Sequence, residues 1–371
     1  MATAPINLKR HLRLKDPRLN RCKKHLLIDI VTIAVCAVIA NANTWKEIAI
    51  FGRRRQAWFQ GFLELPNGIP SKHTFERLFD RLDPKAVQRC LLGWLHEVSE
   101  LLGVRHIAID GKTLRHSGGG SSRHRQLHLV SAWAAEANLT LGQVAVDEKS
   151  NEITAIPYLL ELLKVKGALV SIDAMGCQKE IAQRIVEQGG DYVLAVKDNQ
   201  PQLKEDIQEC FEKAYASNCE GIRYDWHETE EEGHGRHEKR LYEVIYAPEG
   251  IRNGDAWEQL TVIGKCSSER TVNGQTSCEE RCFIGSRDCS AKQYGMVLRN
   301  HWKIENNLHW QMDVSFAEDA SRIQKRYGGQ NFALLRRLAL GLLKRHPSKE
   351  SIKSKRYEAA LDVTFLEEVL K

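Results

Sequence analysis

Two aspartates follow short apolar runs that are typical of buried strands. Asp110 follows Ile-Ala-Ile, Asp173 follows Leu-Val-Ser-Ile, and a loop with a glycine, Gly111 or Gly176, comes after each. Functional residues of open α/β sheets gather beyond the strand ends, so we expect the two carboxylates to lie together. Neighbouring carboxylates repel each other unless a cation lies between them, and hard oxygen ligands suit Mg²⁺ or Mn²⁺. The alternative is that both are ordinary surface aspartates.

A third acidic residue, Glu305, is predicted to lie on a mostly apolar helix face. At about 100° per residue, that face contains Tyr294, Val297, Leu298, His301, Glu305, Leu308, His309 and Met312. A buried carboxylate without a partner is costly, and a metal ion shared with Asp110 and Asp173 would remove that cost. The alternative places Glu305 at the edge of the face, where it reaches solvent or pairs with His301 or His309.

Further polar residues could contact nucleic acid. Lys112 comes two positions after the first aspartate, and Lys197 and Asn199 end a strand that should reach the same edge of the sheet. Lysine and amide side chains there could hold phosphates. Arg236 and Arg240 share one face of a predicted strand, where they contact DNA or belong to a solvated hairpin.

Two other features have a structural explanation beside a functional one. Trp226, Trp302 and Trp310 could stack on an extruded base, although core packing is the preferred interpretation. Residues 149–152, Lys-Ser-Asn-Glu, lie between a strand and a helix, and we interpret them as a helix N-cap.

The distribution of charge fits a polyanionic partner. The 371 residues include 54 Lys and Arg against 48 Asp and Glu, a formal charge of +6. Basic residues concentrate at 9–24 and 322–356, on either side of a nearly neutral middle. Two basic ends suit DNA, and solvated surface or tails are an equal alternative.

The cysteines and one apolar run indicate the cellular compartment in which the protein is expected. Ten cysteines include no C-x-x-C pair, so we expect no zinc site and a reducing compartment. Residues 26–40 faintly resemble a signal peptide, but Asp29 interrupts the run, which is also too short to span a bilayer. We therefore expect a cytoplasmic protein, nucleoid-associated in a bacterium, with no membrane partner.

The first part of the chain has a helical pattern. Residues 1–22 are predicted to be a basic tail, and residues 23–103 a helical domain that could bind DNA. Within it, a helix is predicted from a Ser71 N-cap to a stop at Pro84. This helix could lie on DNA or simply pack against the core.

Residues 104–346 have a different pattern. The predicted order is β-β-β-α-β-α-β-α, which indicates an α/β fold with a mixed sheet flanked by helices. A β-rich insertion is predicted at about 215–290, and helices resume near Ala291. Residues 347–371 are predicted to be a basic C-terminal tail.

Longer motifs occur along the chain. They are Ala-Ile-Asp-Gly-Lys-Thr at 108–113, Val-Ser-Ala-Trp at 130–133, Val-Asp-Glu-Lys-Ser-Asn-Glu-Ile at 146–153, Thr-Ala-Ile-Pro at 154–157, Ile-Asp-Ala-Met-Gly-Cys-Gln-Lys at 172–179, Gly-Asp-Tyr-Val-Leu-Ala-Val-Lys at 190–197, His-Gly-Arg at 234–236, His-Trp-Lys-Ile-Glu-Asn-Asn-Leu-His-Trp at 301–310, Asp-Val at 313–314 and Glu-Asp-Ala-Ser-Arg at 318–322. Together these segments resemble the ISAs-type insertion-sequence transposases, a group that includes the H-repeat-associated proteins. The resemblance covers residues 23–346.

The resemblance implies a ribonuclease H-like catalytic fold. Its DDE triad maps onto Asp110, Asp173 and Glu305, the three acids already singled out. It also implies a helical N-terminal domain associated with the transposase core, and a β-rich insertion before the last acid. Both agree with the sequence pattern.

The chain departs from a wider pattern around the final acid. Broader relatives often carry a Tyr-Arg-Glu-Lys signature there. In this chain His301 stands where the Arg is expected, and Met312 where the Lys is expected. Arg299 and Arg322 are the candidates to contact the phosphate in their place.

The expected function is transposition of DNA. Two Mg²⁺ ions, replaceable by Mn²⁺ and about 3.5–4 Å apart, would support cleavage at the transposon ends and attack by the freed 3′-OH on target DNA. The expected partner is double-stranded DNA, both terminal inverted repeats and target, and pairing of two ends requires a homodimer. The alternatives are a nuclease of the same fold without strand transfer and a catalytically inactive or domesticated DNA-binding derivative.

Overall fold

The computed structural model describes residues 14–90, 105–115, 126–146, 151–233 and 235–371. Most of the predicted N-terminal tail, the end of the predicted helical domain and residues 147–150 lie outside the described residues. In the described ranges, no helix is both long and apolar enough to cross a membrane.

Among the described residues, a mixed sheet of nine strands forms the centre of the molecule. Its strands are β1 (His106–Thr113), β2 (His128–Ala134), β3 (Leu139–Ala145), β4 (Leu169–Ile172), β5 (Asp191–Val196), β6 (Tyr224–Gly233), β7 (Arg236–Tyr246), β8 (Val262–Val272) and β9 (Gln275–Gly285). Their spatial order is β3-β2-β1-β4-β5-β9-β8-β7-β6. Strands β1, β4 and β5 are parallel, and the other neighbouring pairs are antiparallel. The predicted α/β class and mixed sheet are confirmed.

The strands predicted as a β-rich insertion extend this sheet. Strands β6 to β9 form an antiparallel meander, and β9 returns to pair with β5 from Val193↔Gly285 to Val196↔Cys282. The far ends of these strands are largely exposed, whereas the ends near β5 are buried. The meander therefore projects from the core as a continuation of the same sheet.

Twelve labelled helices accompany the sheet. They are α1 (Leu27–Ile39), α2 (Trp45–Arg54), α3 (Gln56–Gln60), α4 (Lys72–Phe79), α5 (Glu152–Glu161), α6 (Lys179–Glu187), α7 (Pro201–Ala216), α8 (Ala291–Ile304), α9 (Trp310–Val314), α10 (Gly328–Arg345), α11 (Ile352–Leu361) and α12 (Val363–Leu370). Ser71 caps α4 as predicted, but α4 ends at Phe79. Pro84 begins the next helical segment, 84–90, instead of stopping one. Proline lacks an amide hydrogen, and the first turn of a helix does not need one.

The N-terminal and C-terminal helices share one hydrophobic core. Helix α1 is apolar on nearly every side and buried along most of its length, as expected of a central helix. Trp45 of α2 stacks on Phe79 at 5.0 Å between ring centroids and meets Phe332 of α10 edge-on at 4.7 Å. Residues far apart in the sequence therefore support each other across this core.

The predicted basic tail at 347–371 is wrong. These residues form helices α11 and α12, which begin at the side-chain caps Ser351 and Asp362. Phe365 and Leu366 are buried in the shared core. The apolar positions of α12 recur at helical spacing, and this pattern outweighs the charged residues between them.

Part of the basic cluster at 322–356 is also buried. Arg336, Arg337, Lys355 and Arg356 are each at most 4% exposed. Arg337 pairs with Glu318, with Nη1 and Oε1 2.7 Å apart, and Arg356 donates to Val38 O at 2.9 Å. These charges hold helices together and are not available to a polyanion on the surface.

Candidate active site

The two aspartates are brought together by the register of parallel strands. Ile109 of β1 pairs with Ile172 of β4, so the next residue on each strand, Asp110 and Asp173, reaches the same edge of the sheet. Both line one cavity of about 290 Å³. The predicted proximity of these two carboxylates is therefore observed.

Asp173 is also the cap of a short turn. Its carboxylate accepts a hydrogen bond from the Gly176 amide at 3.4 Å, which starts a 3₁₀ turn after β4. Burial raises the pKa of Asp173 to about 6, with further contributions from the negative charges of Asp110 and Glu152. A buried carboxyl group beside like charges favours its protonated form.

Glu305 lines the same cavity but is more exposed than predicted. It follows the last residue of α8 and begins a π-helical turn, Glu305–His309, in which the helix has an extra residue per turn. Glu305 is exposed to solvent where it lines the cavity, whereas Ile304, Leu308 and Met312 are buried. The prediction of a buried Glu305 is wrong. π-Helical turns are frequent at functional sites.

His309, at the end of the π-helical turn, contacts the first aspartate. Its Nε2 lies 3.0 Å from Oδ2 of Asp110. Burial alone would raise the pKa of Asp110, but the hydrogen bond and charge of His309 hold it below its ordinary value. The turn that carries Glu305 is thus attached directly to β1.

Lys112 supports the same turn from inside the protein. Its ammonium group donates to the His309 carbonyl at 3.2 Å, pairs with Asp313 and lies 3.8 Å from Glu318. The side chain is only 9% exposed. Lys112 therefore stabilises the fold around the site. This buried position does not match the prediction that Lys112 contacts DNA.

Sequence reasoning missed a fourth carboxylate, that of Glu152. Asn151 caps α5 through the Thr154 amide, which confirms the N-cap interpretation. The same geometry places Glu152 directly over Gly111, where any Cβ would collide with its carboxylate. His128 holds Glu152 with Nε2 2.6 Å from Oε1. A glutamate immediately after an N-cap, beside a glycine next to Asp110, was the available signal.

A chain of three hydrogen-bonded side chains was also missed. Nε2 of His106 lies 2.7 Å from Oγ of Ser171, and this oxygen lies 2.9 Å from Nδ1 of His301. His106 and Ser171 are buried, whereas His301 lines the cavity beside the three acids. The period-2 spacing of Ser171 and Asp173 on one strand face was the only sequence signal.

Lys197 and Asn199 lie near Asp173, as predicted. Lys197 is exposed, lines the cavity and lowers the pKa of Asp173 by its charge, although burial dominates that pKa. Nδ2 of Asn199 donates to the Ala174 carbonyl at 2.6 Å. Asn199 thus ties the loop after β5 to the turn after β4.

A second groove adjoins the cavity along β7, β8, β9 and α8. The two share Cys266, Arg281, Leu298, Trp302 and Glu305. Arg236, Arg240 and Arg299 line this groove. Acidic neighbours pair with each of them, Glu238 with Arg236 and Arg240, and Glu231 with Arg240 and Arg299.

Arg322 is exposed before α10, and the described lining of the cavity and groove does not include it.

The three tryptophans are on the surface, so the preferred interpretation of core packing is wrong. Trp226, Trp302 and Trp310 are 59%, 39% and 53% exposed. The guanidinium group of Arg281 lies 4.1 Å from the ring centroid of Trp302, at the junction of cavity and groove.

The described His, Cys, Asp and Glu side chains nowhere form a group of three that is close enough to hold a metal ion. The acids of the cavity nevertheless share one opening at the sheet edge. Carboxylates in this arrangement can bind a hard cation if Glu305 moves inward from the edge.

Comparison with known proteins gives consistent matches. Residues 103–342 match the family model described as "Transposase DDE domain", and residues 10–95 match the one described as "DDE_Tnp_1-associated". "Putative transposase YncI" of Escherichia coli O157:H7 is 41% identical, over 94% of this chain and 90% of that protein. "H repeat-associated putative transposase YhhI" of Escherichia coli (strain K12) is 36% identical, over 94% of this chain and 93% of that protein.

Among solved structures, the piggyBac transposase synaptic complex with hairpin DNA, determined by cryo-electron microscopy, resembles this chain at a TM-score of 0.41 and 10% identity. The match covers 99% of this chain and 78% of that one.

Proposed function

Because this chain belongs to the DDE transposase family, we propose that it cleaves DNA at the ends of a mobile element and joins those ends to target DNA. The observation that carries this proposal is the single cavity that Asp110, Asp173 and Glu305 line together. Three acids from distant parts of the sequence share one opening, and the first two lie at the edge of a mixed sheet, where open α/β sheets place their chemistry.

The proposed catalytic core is ribonuclease H-like. Its support is the arrangement of the first five strands, β3-β2-β1-β4-β5, in which β2 runs antiparallel to β1 and β3. Asp110 lies on the central strand of these five, and Asp173 follows its neighbour.

The acids fit a divalent cation by their chemistry. Carboxylate oxygens are the ligands that Mg²⁺ prefers. Burial raises the pKa of Asp173 to about 6, and the charges of Asp110 and Glu152, which a cation would offset, contribute to the same rise. Asp110, Asp173 and Glu305 would hold two Mg²⁺ ions, or Mn²⁺ in their place, and the ions would activate the attacking oxygen and stabilise the leaving one.

The protein's own residues prepare this site. His309 orients the carboxylate of Asp110, and Lys112 holds the backbone of the turn that carries His309 and Glu305. Lys197, exposed beside Asp173, is available to a phosphate of the bound strand.

The groove beside the cavity is the proposed path of the DNA. Its described lining contains six basic residues, Arg236, Arg240, Arg270, Arg281, Arg299 and Lys303, and three acidic ones, Glu238, Glu279 and Glu305. DNA phosphates would compete for the arginines that are now paired with glutamates. Because two ends must be brought together, we propose that the active form on DNA is a homodimer. Nucleoid association follows from the same DNA binding.

The direct test is cleavage and joining of DNA that flanks the gene in its genome. Purified protein with Mg²⁺ should nick duplexes that contain the flanking inverted repeats, and a 3′-OH end should then appear covalently joined to target plasmid. Asp110→Asn, Asp173→Asn and Glu305→Gln should each abolish both reactions while the DNA affinity stays similar.

The alternatives give different results in the same test. Cleavage without joining would identify a nuclease of this fold. Binding of repeat DNA without cleavage in Mg²⁺ or Mn²⁺ would identify an inactive or domesticated DNA-binding derivative. Unchanged cleavage by Asp110→Asn would refute the assignment of the site.

A further inference from the structure

The hydrogen-bond chain behind the cavity restricts how its side chains are protonated. The hydroxyl oxygen of Ser171, which carries a single hydrogen, lies between two imidazole nitrogens, Nε2 of His106 at 2.7 Å and Nδ1 of His301 at 2.9 Å. Ser171 can donate to only one of them and must accept from the other. Two arrangements are therefore open when both histidines are neutral.

Burial favours the neutral form of both histidines. Burial lowers the pKa of His106 to about 3, and the nearby His301 adds to this effect. Burial also lowers the pKa of His301, and the charge of Asp110 offsets it only in part. Each ring thus carries one N–H and one lone pair.

The other nitrogen of His106 selects between the arrangements. Nδ1 of His106 is buried, and no described residue forms a hydrogen bond with it. A buried N–H without an acceptor is rarer than a lone pair without a donor. His106 therefore carries its hydrogen on Nε2 and donates to Ser171, and Ser171 donates to Nδ1 of His301.

In this order the hydrogen of the neutral His301 ring is on the nitrogen that does not face the Ser171 hydroxyl. Its Nδ1 is an acceptor and its Nε2 a donor. His301 lies in α8, four residues before Glu305, and lines the cavity with the three acids. The cavity is thus supplied with a neutral hydrogen-bond donor among carboxylates.

We propose that His301 is a further catalytic residue, which donates its Nε2–H to a non-bridging oxygen of the scissile phosphate, and that Ser171 and His106 are positioning residues that fix this tautomer. The proposal rests on the function proposed above. A neutral donor suits this position because it binds phosphate oxygen without drawing the three carboxylates into ion pairs.

The tautomer can be measured without activity. Two-bond ¹H–¹⁵N correlation spectra of histidine-labelled protein report which ring nitrogen carries hydrogen, and His106→Gln and His301→Gln assign the signals. We expect hydrogen on Nε2 of both residues. Ser171→Ala should convert the His301 signal into that of a tautomer mixture. Hydrogen on Nδ1 of His301 in the wild-type protein would overturn the proposal.

Kinetics test the interaction with phosphate. In single-turnover cleavage, His301→Leu should slow the reaction by about 10- to 100-fold, the effect of losing one hydrogen bond to a charged group. His301→Gln, whose amide nitrogen reaches the place of Nε2, should recover most of the rate. The DNA affinity should change little in either variant. Equal rates for His301→Leu and wild type, or no recovery by His301→Gln, would overturn the proposal.

The positioning role has its own comparison. His106→Leu should slow cleavage as Ser171→Ala does, and His106→Gln, which keeps a donor at the Nε2 position, should be faster than His106→Leu. Melting temperatures identify any variant that fails to fold. If Asp110→Asn cleaves DNA, the proposed function itself fails. If Asp110→Asn is inactive and His301→Leu is fully active, only this inference fails.

Discussion

The imidazole of His309 lies against the carboxylate of Asp110, with Nε2 3.0 Å from Oδ2. This contact joins the π-helical turn, which begins with Glu305, to the strand that carries the first acid. Lys112, on the same strand, holds the turn through the His309 carbonyl. The positions of Asp110 and Glu305 are therefore mechanically linked.

His309→Ala is expected to weaken divalent cation binding. A ligand carboxylate that loses its orienting hydrogen bond usually loses about 10-fold or more in metal affinity. Mn²⁺ titration by calorimetry or electron paramagnetic resonance measures this, and His309→Gln, which keeps a donor, should lose less. Tighter Mn²⁺ binding by His309→Ala would instead show that the imidazole competes with the ion.

Asp173→Asn should stabilise the metal-free protein at neutral pH. The pKa of Asp173 is about 6 in the folded state against 3.8 as its ordinary value, so the folded protein binds the proton more tightly than the unfolded chain. Stability therefore falls as pH rises from about 4 to 6, and the cost is fully present above pH 6. The gain from Asn should be about 1 to 2 kcal/mol at pH 7.5 and vanish below pH 4.

Unfolding in EDTA at both pH values measures this difference. Asp255→Asn, at an exposed position in a short 3₁₀ turn, is the matched control and should have no such effect. Lower stability of Asp173→Asn than of wild type at pH 7.5 would contradict the prediction.

The position of the two aspartates at the sheet edge could be predicted from the sequence. The position of Glu305, which completes the site, could be predicted only in part. Asp110 and Asp173 end apolar runs, and parallel pairing then brings them together without further information. The face of α8 was derived from a constant 100° per residue, but a π-helical turn begins at Glu305 and changes the spacing beyond it. A local change of helix type depends on tertiary contacts such as the one between Lys112 and His309.

Glu318→Gln should destabilise the protein by about 3 kcal/mol or more. Glu318 is fully buried and pairs with Arg337, and Lys112 lies 3.8 Å from it. Removal of this carboxylate takes away the charge that compensates the buried guanidinium group of Arg337. Glu279→Gln breaks an exposed pair with Arg281 and is the control, with an expected change under about 1 kcal/mol.

Urea unfolding compares these two variants with wild type. The double variant Arg337→Met with Glu318→Met should recover much of the lost stability, because it removes both charges together. Equal effects of Glu318→Gln and Glu279→Gln on the free energy of unfolding would show that the buried pair contributes no more to stability than the exposed one.

Arg299→Ala should weaken binding of DNA to the groove beside the cavity. Removal of one arginine that binds a phosphate should lower the slope of log affinity against log salt concentration by about 1. Lys353→Ala, an exposed change on α11, is the control and should leave the slope unchanged. Fluorescence anisotropy over a range of salt concentrations provides the slopes, and identical slopes for all three proteins would remove Arg299 from the DNA path.

Gly111→Ala is expected to disturb the site through Glu152. A Cβ at position 111 would collide with the Glu152 carboxylate, so this side chain must leave its place beside His128. Cleavage should fall at least about 10-fold. The double variant Gly111→Ala with Glu152→Ala removes the collision, so it should restore the melting temperature even if activity stays low. No loss of stability in Gly111→Ala would contradict the packing of Glu152 over this glycine.

Charge patterns predicted the surface less well than apolar patterns predicted the core. The basic residues of 322–356 suggested an accessible polyanion site, yet Arg336, Arg337 and Arg356 are buried. A linear sequence shows how many charges a helix carries but not which of them face buried carbonyls or carboxylates. The apolar run of α1 was correctly predicted to be a buried helix, since its pattern leaves no polar face.

The shared core of the first and last helices determines when the chain can fold during its synthesis. Helix α1 packs beside α10 and α11, and Arg356 donates a hydrogen bond to the carbonyl of Val38. The early helices therefore leave the ribosome long before their apolar partners exist. An interrupted message that ends before α10 would yield a chain with an uncovered α1, a target for chaperones and proteases instead of a partly working enzyme.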